Sequence, residues 1–240
     1  MITPHLSIVI PAYNEETRIL AALAEADTFL QSQSFDYEII VIDDGSVDRT
    51  VEVVESAGIS NLRVLALDRN CGKGAAVKAG MRAAKGTMLI YCDADGATPI
   101  EELIKLEKAI EAGAAIAIGS RALLSADTTV KTVWYRKYMG RVFNGLVNAL
   151  ILPGIADTQC GFKMFRRDAA DYVFGRQLAD GFSFDVELLF LARKQGFRIT
   201  EVPVNWTNVP GSKVNLVRDS LRMLRDIFKF RWNYLTGVYK

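Results

Sequence analysis

The sequence predicts an α/β protein with a mostly parallel central sheet flanked by helices, and three observations carry that reading. Short apolar, β-rich runs alternate with helical stretches through the first half of the chain, the rhythm of βαβ units with a sheet covered on both sides. The run Met88–Cys92 is apolar almost throughout, as a strand buried on both faces is. Three runs stop at polar clusters: Pro11-Ala12-Tyr13-Asn14-Glu15, Asp43-Asp44-Gly45-Ser46 and Asp93-Ala94-Asp95. In a parallel sheet these ends share one rim, the place where open α/β sheets bind ligands.

Each element has its own signals. Leu6–Ile10 is the first strand, closed by Pro11. A helix follows from Glu15 to about Phe29, its acidic start suited to the positive end of the helix dipole. Tyr37–Ile42 is the second strand. Ser46 or Asp48 caps a helix to about Ala57, stopped by Gly58. Asn61–Leu67 is the third strand, Gly72 to Lys85 the third helix, and Met88–Cys92 the fourth strand. Pro99 opens a helix to about Glu111, and Ala114–Ile118 is the fifth strand. The second half changes rhythm. Residues 122–133 read as a loop, Arg136 to Leu152 as an apolar helix, and 156–168 as a loop or short strand. Ser183–Gln195 is a buried helix, Arg198–Val204 a strand, and 214–235 a long amphipathic helix. Neither a linker nor an internal repeat interrupts the chain, so a single domain over 1–240 is expected.

Composition narrows the function. Of 240 residues 50% are hydrophobic and 24% charged, with a net charge of +1, which speaks against nucleic-acid binding. The last 28 residues nonetheless hold seven basic side chains against two acidic ones. Three scattered cysteines fit a reducing compartment, and the lone His5 lies outside any motif. No secretory signal and no apolar run of about 20 residues is present. The expected location is cytoplasmic, with any membrane contact peripheral at the cytosolic face.

The carboxylate pair Asp93 and Asp95 is the chemically loaded point. Clustered carboxylates after a buried strand call for a cation. Two hard oxygen donors suit Mg²⁺ or Mn²⁺, which keep waters and take phosphate oxygens. Alone, Asp-x-Asp is more often a polar turn or a helix cap than a metal site.

Together the strand-end motifs, followed by Gly119-Ser120-Arg121, resemble the family-two inverting glycosyltransferases over roughly 1–125. The resemblance implies a GT-A-type nucleotide-diphospho-sugar transferase fold. It implies a nucleotide-sugar-binding half at 1–125, an acceptor-side half at 126–212 and an amphipathic helix at 213–240. Tyr13 would stack on the base, while Glu15 and Asp44 accept hydrogen bonds from base and ribose. Pro11, Ile42 and Ala94 belong to the same nucleotide site. Asp93 would hold ribose or the metal's water shell, and Asp95 the metal, with Asp93 as a second candidate ligand. Lys73 in Asn70-Cys71-Gly72-Lys73-Gly74 is a nucleotide-side cation or a solvated lysine at a helix start.

Asp93-Ala94-Asp95-Gly96-Ala97-Thr98, Asp157-Thr158-Gln159-Cys160-Gly161-Phe162-Lys163, Phe184-Asp185-Val186-Glu187 and Ser212-Lys213 extend the likeness. They resemble the dolichyl-phosphate β-glucosyltransferases, relatives of the dolichol-phosphate mannose synthases. That implies transfer of one hexose, glucose from UDP-glucose, onto a polyprenyl phosphate, dolichyl or undecaprenyl, at a membrane surface. Partners would be the donor, the lipid phosphate, the membrane, and a membrane protein or a second copy of the chain. A phosphate monoester is already anionic near pH 7, which lowers the need for a general base. Arg121 and Lys213 would meet the acceptor phosphate and the diphosphate. Asp157 would be the base if the acceptor were a sugar hydroxyl.

Several positions stay open. Asp185 and Glu187 are structural or functional, Trp134 and Trp206 either, and Phe162 and Phe184 core. The alternatives in function are a saccharide or soluble acceptor, or a non-catalytic nucleotide-sugar-binding subunit. A dinucleotide oxidoreductase is excluded, because the first strand lacks Gly-x-Gly-x-x-Gly. In the last helix Val217, Leu221, Leu224 and Phe228, with Leu235 beyond, form an apolar stripe beside Arg218, Arg222, Arg225 and Lys229. Phe230, Trp232 and Tyr234 are placed for a headgroup boundary. That helix either docks on a membrane or packs on the domain.

Overall fold

Strands β1 (Leu6–Ala12), β2 (Tyr37–Asp43), β3 (Leu62–Ala66) and β4 (Met88–Cys92) pair in parallel, as their alternation with helices predicts. The computed structural model describes residues 3–123, 125–131, 140, 144–209 and 216–240, without the side chains of 216–221. Lys213, Trp134 and the side chains of Val217, Arg218 and Leu221 lie outside the described residues. Strand β5 (Ile116–Ser120) pairs in parallel with β8 (Ile199–Pro203). Between β4 and β5 lies β7 (Phe162–Arg166), antiparallel to both. The seven-stranded order is β3-β2-β1-β4-β7-β5-β8. A short ribbon pairs β6 (Val130–Lys131) with β9 (Trp206–Thr207).

The helices are α1 (Ile19–Gln31), α2 (Thr50–Glu55), α3 (Lys73–Ala83), α4 (Leu103–Glu111), α5 (144–150), α6 (Arg167–Arg176), α7 (Phe184–Gln195) and α8 (Leu216–Leu235). A single 3₁₀ turn, Ile100–Glu102, leads into α4 after Pro99. Alternate strand residues feed two cores. Ile39, Val41, Ile90, Phe162 and Met164 pack with α1 and α4, whereas Ile40, Ile42, Tyr91 and Phe165 pack with α3, α6, α7 and α8.

Two departures from the sequence expectation bear on the site. Helix α1 starts at Ile19 rather than Glu15, because Asn14 takes a left-handed φ of 51° and the Glu15 N–H goes to Thr50 Oγ1 at 2.8 Å. Residues 13–18 are therefore a loop over the strand ends. The 156–168 segment, read as a loop or a short strand because Lys163 interrupts its apolar run, holds the strand β7 at the centre of the sheet. It threads the second half of the chain into the first, while α6, β9 and β6, the last within the expected 122–133 loop, are additions to the expected elements.

Candidate active site

A cleft of about 410 Å³ opens where β1, β2 and β4 end. Its walls include Pro11, Tyr13, Glu15, Asp44, Lys73, Asp93, Ala94 and Asp95, all of them singled out in the sequence. Ile42 is the exception. It is fully buried under α3, where a Cβ on Gly80 would lie 2.8 Å from its Cγ1, so it supports the site without lining it. Arg121 and Asp157 also stand off the cleft lining.

Backbone amides fix the donor-side carboxylates. Asp44 accepts from Cys71 N–H at 2.7 Å and Gly72 N–H at 2.9 Å, ordering the turn into α3. Burial pushes the Asp44 carboxyl up, the two amides oppose this, and Asp43 and Asp180 add to it. Glu15 is held by Arg18 through bonds of 2.8 and 2.7 Å. Gly72, at φ 105°, and Gly74 leave no room for a side chain, because Asp180 O and Ala179 O each lie 2.5 Å from where a Cβ would stand. The loop 177–183 thus closes over the first turn of α3, and Gln177 Nε2 donates to Gly74 O at 2.8 Å.

Glu187 anchors that loop from below. Its Oε2 accepts from Leu178 N–H at 3.0 Å and Ala179 N–H at 2.8 Å, and its Oε1 from Tyr239 O–H at 2.5 Å. Burial raises the Glu187 carboxyl despite these donors. Its role here is structural: it positions a cleft wall.

Lys73 reaches across the cleft to Asp93, Nζ to Oδ1 2.5 Å. Burial works against its charge, but the Asp93, Asp185 and Asp95 carboxylates outweigh that and raise its pKa. Asp95 is bound to Ala97 N–H at 3.1 Å. Burial and then the Asp93 charge push its carboxyl above the ordinary range, with Ala97, Arg18 and Lys73 opposing. A carboxylate destabilised in this way gains from a nearby cation. Among the described residues no group of three or more His, Cys, Asp or Glu could hold an ion alone. The donor set fits Mg²⁺ or Mn²⁺, which take one or two carboxylates and complete their shell with water and phosphate. Asp95 is the better placed of the pair, since Asp93 is already matched by Lys73.

Arg121 and Asp157 form a closed unit. Asp157 accepts from Arg121 Nε at 2.7 Å, Nη2 at 2.9 Å and its backbone N–H at 3.0 Å. Burial would raise the Asp157 carboxyl, but Arg121 holds it below the usual range. The guanidinium also lies 5.5 Å from the centroid of Trp206. Such a carboxylate is a poor proton acceptor, and the arginine is already matched in charge.

Helix α8 corrects the expected stripe. Met223, Ile227 and Phe230 are its buried apolar residues among those described, whereas Phe228, Trp232 and Leu235 are 61%, 68% and 78% exposed. At about 100° per residue the two apolar arcs lie roughly 140° apart. The core takes the arc that includes Met223, so Phe230 is inside rather than at a boundary. Ser183 Oγ donates to Asp226 Oδ2 at 2.7 Å, fixing the flank that brings Arg222 and Met223 to the cleft wall. Arg222, Arg18, Asn70, Phe182 and Ser183 were not singled out for the cleft from sequence. Arg222 had a signal in the basic spacing of α8, but periodicity alone does not tell which flank meets the cleft.

The sheet order, the parallel strand ends and the carboxylate-lined cleft define a GT-A-type transferase fold. Glucosyl-3-phosphoglycerate synthase from Mycobacterium tuberculosis, solved with Mn²⁺, UDP-glucose and phosphoglyceric acid, superposes with a TM-score of 0.68. That match covers 95% of this chain and 78% of that one, at 20% identity. The same enzyme has also been solved with Mg²⁺ and UDP. Residues 7–174 match the family described as Glycosyl transferase family 2. Dolichyl-phosphate β-glucosyltransferase of Dictyostelium discoideum is 40% identical over 250 residues, 98% of this chain and 76% of the relative. The Drosophila melanogaster enzyme of the same name is 41% identical over 98% of this chain and 77% of its own. This chain belongs to glycosyl transferase family 2, among the dolichyl-phosphate β-glucosyltransferases.

Proposed function

We propose that this chain transfers glucose from UDP-glucose to the phosphate of a polyprenyl lipid, with inversion at the anomeric carbon. The observation that supports this most is the meeting of Tyr13, Asp44, Lys73, Asp93 and Asp95 in one cleft, in a chain 40% identical to an enzyme named for that reaction.

A lipid phosphate oxygen attacks the glucose C1, the C1–O bond to the diphosphate breaks, and UDP leaves with the electron pair. Tyr13 stacks on the uracil, and Glu15 and Asp44 accept hydrogen bonds from base or ribose. Lys73 balances Asp93 beside the diphosphate. Asp95, with Asp93 next to it, would hold a Mg²⁺ or Mn²⁺ ion, which when bound supplies charge neutralisation to the departing diphosphate. Arg222, which also lines the cleft, adds a positive charge where two anions must approach. The nucleophile is already ionised near neutral pH, which agrees with an Asp157 that Arg121 keeps from accepting protons. Arg121 and Asp157 then shape the acceptor side as a pair.

The lipid also dictates a surface. No helix of the described residues is long and apolar enough to cross a membrane. The exposed arc Phe228, Trp232 and Leu235 has Arg225 and Lys229 on its cleft-facing side, a side-chain set that suits an anionic bilayer interface. A peripheral seat at the cytosolic face would bring the phosphate of an embedded lipid towards Arg222.

A donor panel of UDP-, GDP- and dTDP-hexoses against a short polyprenyl phosphate tests the reading, with product identified by mass. A hexosyl-phosphate lipid formed best from UDP-glucose is expected. Turnover only with a saccharide acceptor, or none with any donor, would refute it.

A further inference from the structure

Beneath the cleft floor lies a buried charged group that the reaction does not touch. Lys163 sits on the central strand β7, opposite Tyr91 of β4, and is fully buried. Its Nζ donates to Cys160 O at 2.6 Å and to Asp185 Oδ1. The same Asp185 oxygen accepts the Tyr91 hydroxyl. An unpaired ammonium here would be strongly disfavoured. Buried ion pairs can often be replaced by apolar side chains without loss of stability. Stability alone therefore does not explain why a charged pair stands in the middle of the sheet.

What the group holds is the start of β7. Lys163 fixes the carbonyl of Cys160, and the next carbonyl, Gly161 O, accepts Asp93 N–H at 3.1 Å. The Asp93 carboxylate lies directly over Gly161. A Cβ there would stand 2.2 Å from Asp93 Oδ2 and 2.4 Å from both Cγ and Oδ1, far inside van der Waals contact. Gly161 does not have a left-handed φ, so the need for glycine is one of space. From that notch Asp93 reaches Lys73 at 2.5 Å. In formal charge, Asp93, Asp95 and Asp185 face Lys73 and Lys163, leaving one negative charge beside Asp95.

We propose that Gly161, held from below by Lys163, Asp185 and Tyr91, is a positioning residue that sets the Asp93 carboxylate against Lys73 and so fixes the diphosphate end of the donor site. None of these four lines the cleft. The inference rests on the reading of the cleft as a nucleotide-sugar site, and its test carries a readout independent of that reading.

Gly161→Ala is compared with Gly119→Ala. A Cβ on Gly119 meets Phe162 O at 3.1 Å and Cys160 Sγ at 3.2 Å, crowding the same layer without reaching Asp93. Calorimetric titration with UDP and Mn²⁺ should show affinity at least about tenfold weaker in Gly161→Ala than in Gly119→Ala, the scale of supporting-residue effects at metal sites. Tyr91→Phe, which removes one hydroxyl, should weaken it about twofold to threefold, roughly one modest hydrogen bond. Urea unfolding then closes a cycle with Lys73→Met. Its midpoint shift should be present in wild type and in Gly119→Ala and nearly absent in Gly161→Ala. Equal shifts in all three backgrounds overturn the proposal. So does a Gly161→Ala chain that binds UDP like Gly119→Ala. If Gly161→Ala does not fold, the cycle is run on Tyr91→Phe, where additive shifts count against the proposal and a reduced shift supports it. Absence of UDP binding by wild type would instead strike the functional reading, and the unfolding cycle would still decide the positioning role.

Discussion

The proposed donor and acceptor sides of this molecule are assembled in opposite ways. On the donor side Tyr13, Glu15, Asp44, Asp93 and Asp95 each lie within a few residues of the end of β1, β2 or β4. Parallel pairing of those strands brings their ends to one rim, and hydrogen bonds such as those from the Cys71 and Gly72 amides to Asp44 then aim the side chains. On the acceptor side Arg121, Asp157, Ser183 and Arg222 come from segments separated by 26 to 39 residues, and side-chain bonds join them to their surroundings. Asp157 is bound to Arg121, and Ser183 to Asp226. Donor groups can therefore be removed with the frame intact, whereas acceptor-side groups take part of the frame with them.

The sharpest test of that contrast is Asp95→Asn. Its one side-chain bond within the described residues is to Ala97 N–H, which an amide oxygen can also accept. Transfer should fall by about a thousandfold, the scale of a lost electrostatic contributor to the transition state, while the melting temperature stays within a few degrees. Near-normal turnover of this variant with Mg²⁺ or Mn²⁺ would falsify the metal role of Asp95.

Asp157→Asn should lower activity and stability together. We expect about a tenfold to hundredfold loss of transfer, because misplacing a positioning group costs on that scale, and a clear drop in melting temperature. The pH dependence has a defined sign. Arg121 lowers the Asp157 pKa in the folded state, so its contribution is fully present above the unfolded value of about 4. It is lost as pH falls through the folded value. Melting curves of wild type and Asp157→Asn should thus differ by a constant amount above about pH 4 and converge below it. A gap that widens on acidification would contradict the assignment.

Arg222→Ala should act on one side only. A roughly tenfold loss in kcat/KM for the lipid phosphate, the worth of one charge-assisted hydrogen bond, is expected with UDP affinity within about twofold. A parallel loss of UDP affinity in calorimetry would move Arg222 to the donor side. The smallest effect on chemistry belongs to the exposed arc of α8. Phe228→Ser, Trp232→Ser and Leu235→Ser combined should abolish sedimentation with anionic liposomes at low salt and leave turnover of a short-chain acceptor unchanged. Point substitutions are needed here, because truncation after Asp226 would remove Ile227, Phe230 and Tyr239, all buried. Unchanged sedimentation of the triple variant would remove this arc as the membrane seat.

The same contrast explains what the sequence discloses. A strand end is a local event, so apolar runs closed by Asp-Asp-Gly-Ser or Asp-Ala-Asp can be read directly, and β4 falls on Met88–Cys92 as expected. Lys73 is legible because glycines mark the turn that presents it. The pairing of Asp93 with Lys73, the capture of Arg121 by Asp157 and the bond of Glu187 to Tyr239 each depend on partners 20 to 52 residues apart. No local pattern encodes them. In α8 the spacing showed one apolar stripe beside a basic one, yet the arc that the core takes, through Met223, Ile227 and Phe230, is set by packing against α7. Strand β7 stayed ambiguous because its lysine breaks the pattern, and the carboxylate that matches that lysine in charge, Asp185, lies 22 residues on.

The central claim is single displacement at C1 of glucose by a lipid phosphate oxygen, with no covalent sugar–protein intermediate. The measurement that meets it most directly is the anomeric configuration of the product formed from UDP-α-glucose and a polyprenyl phosphate, read from the anomeric proton coupling by NMR. The account predicts a β-linked glucosyl phosphate. An α-linked product, or release of free glucose and UDP without a lipid product, would contradict it.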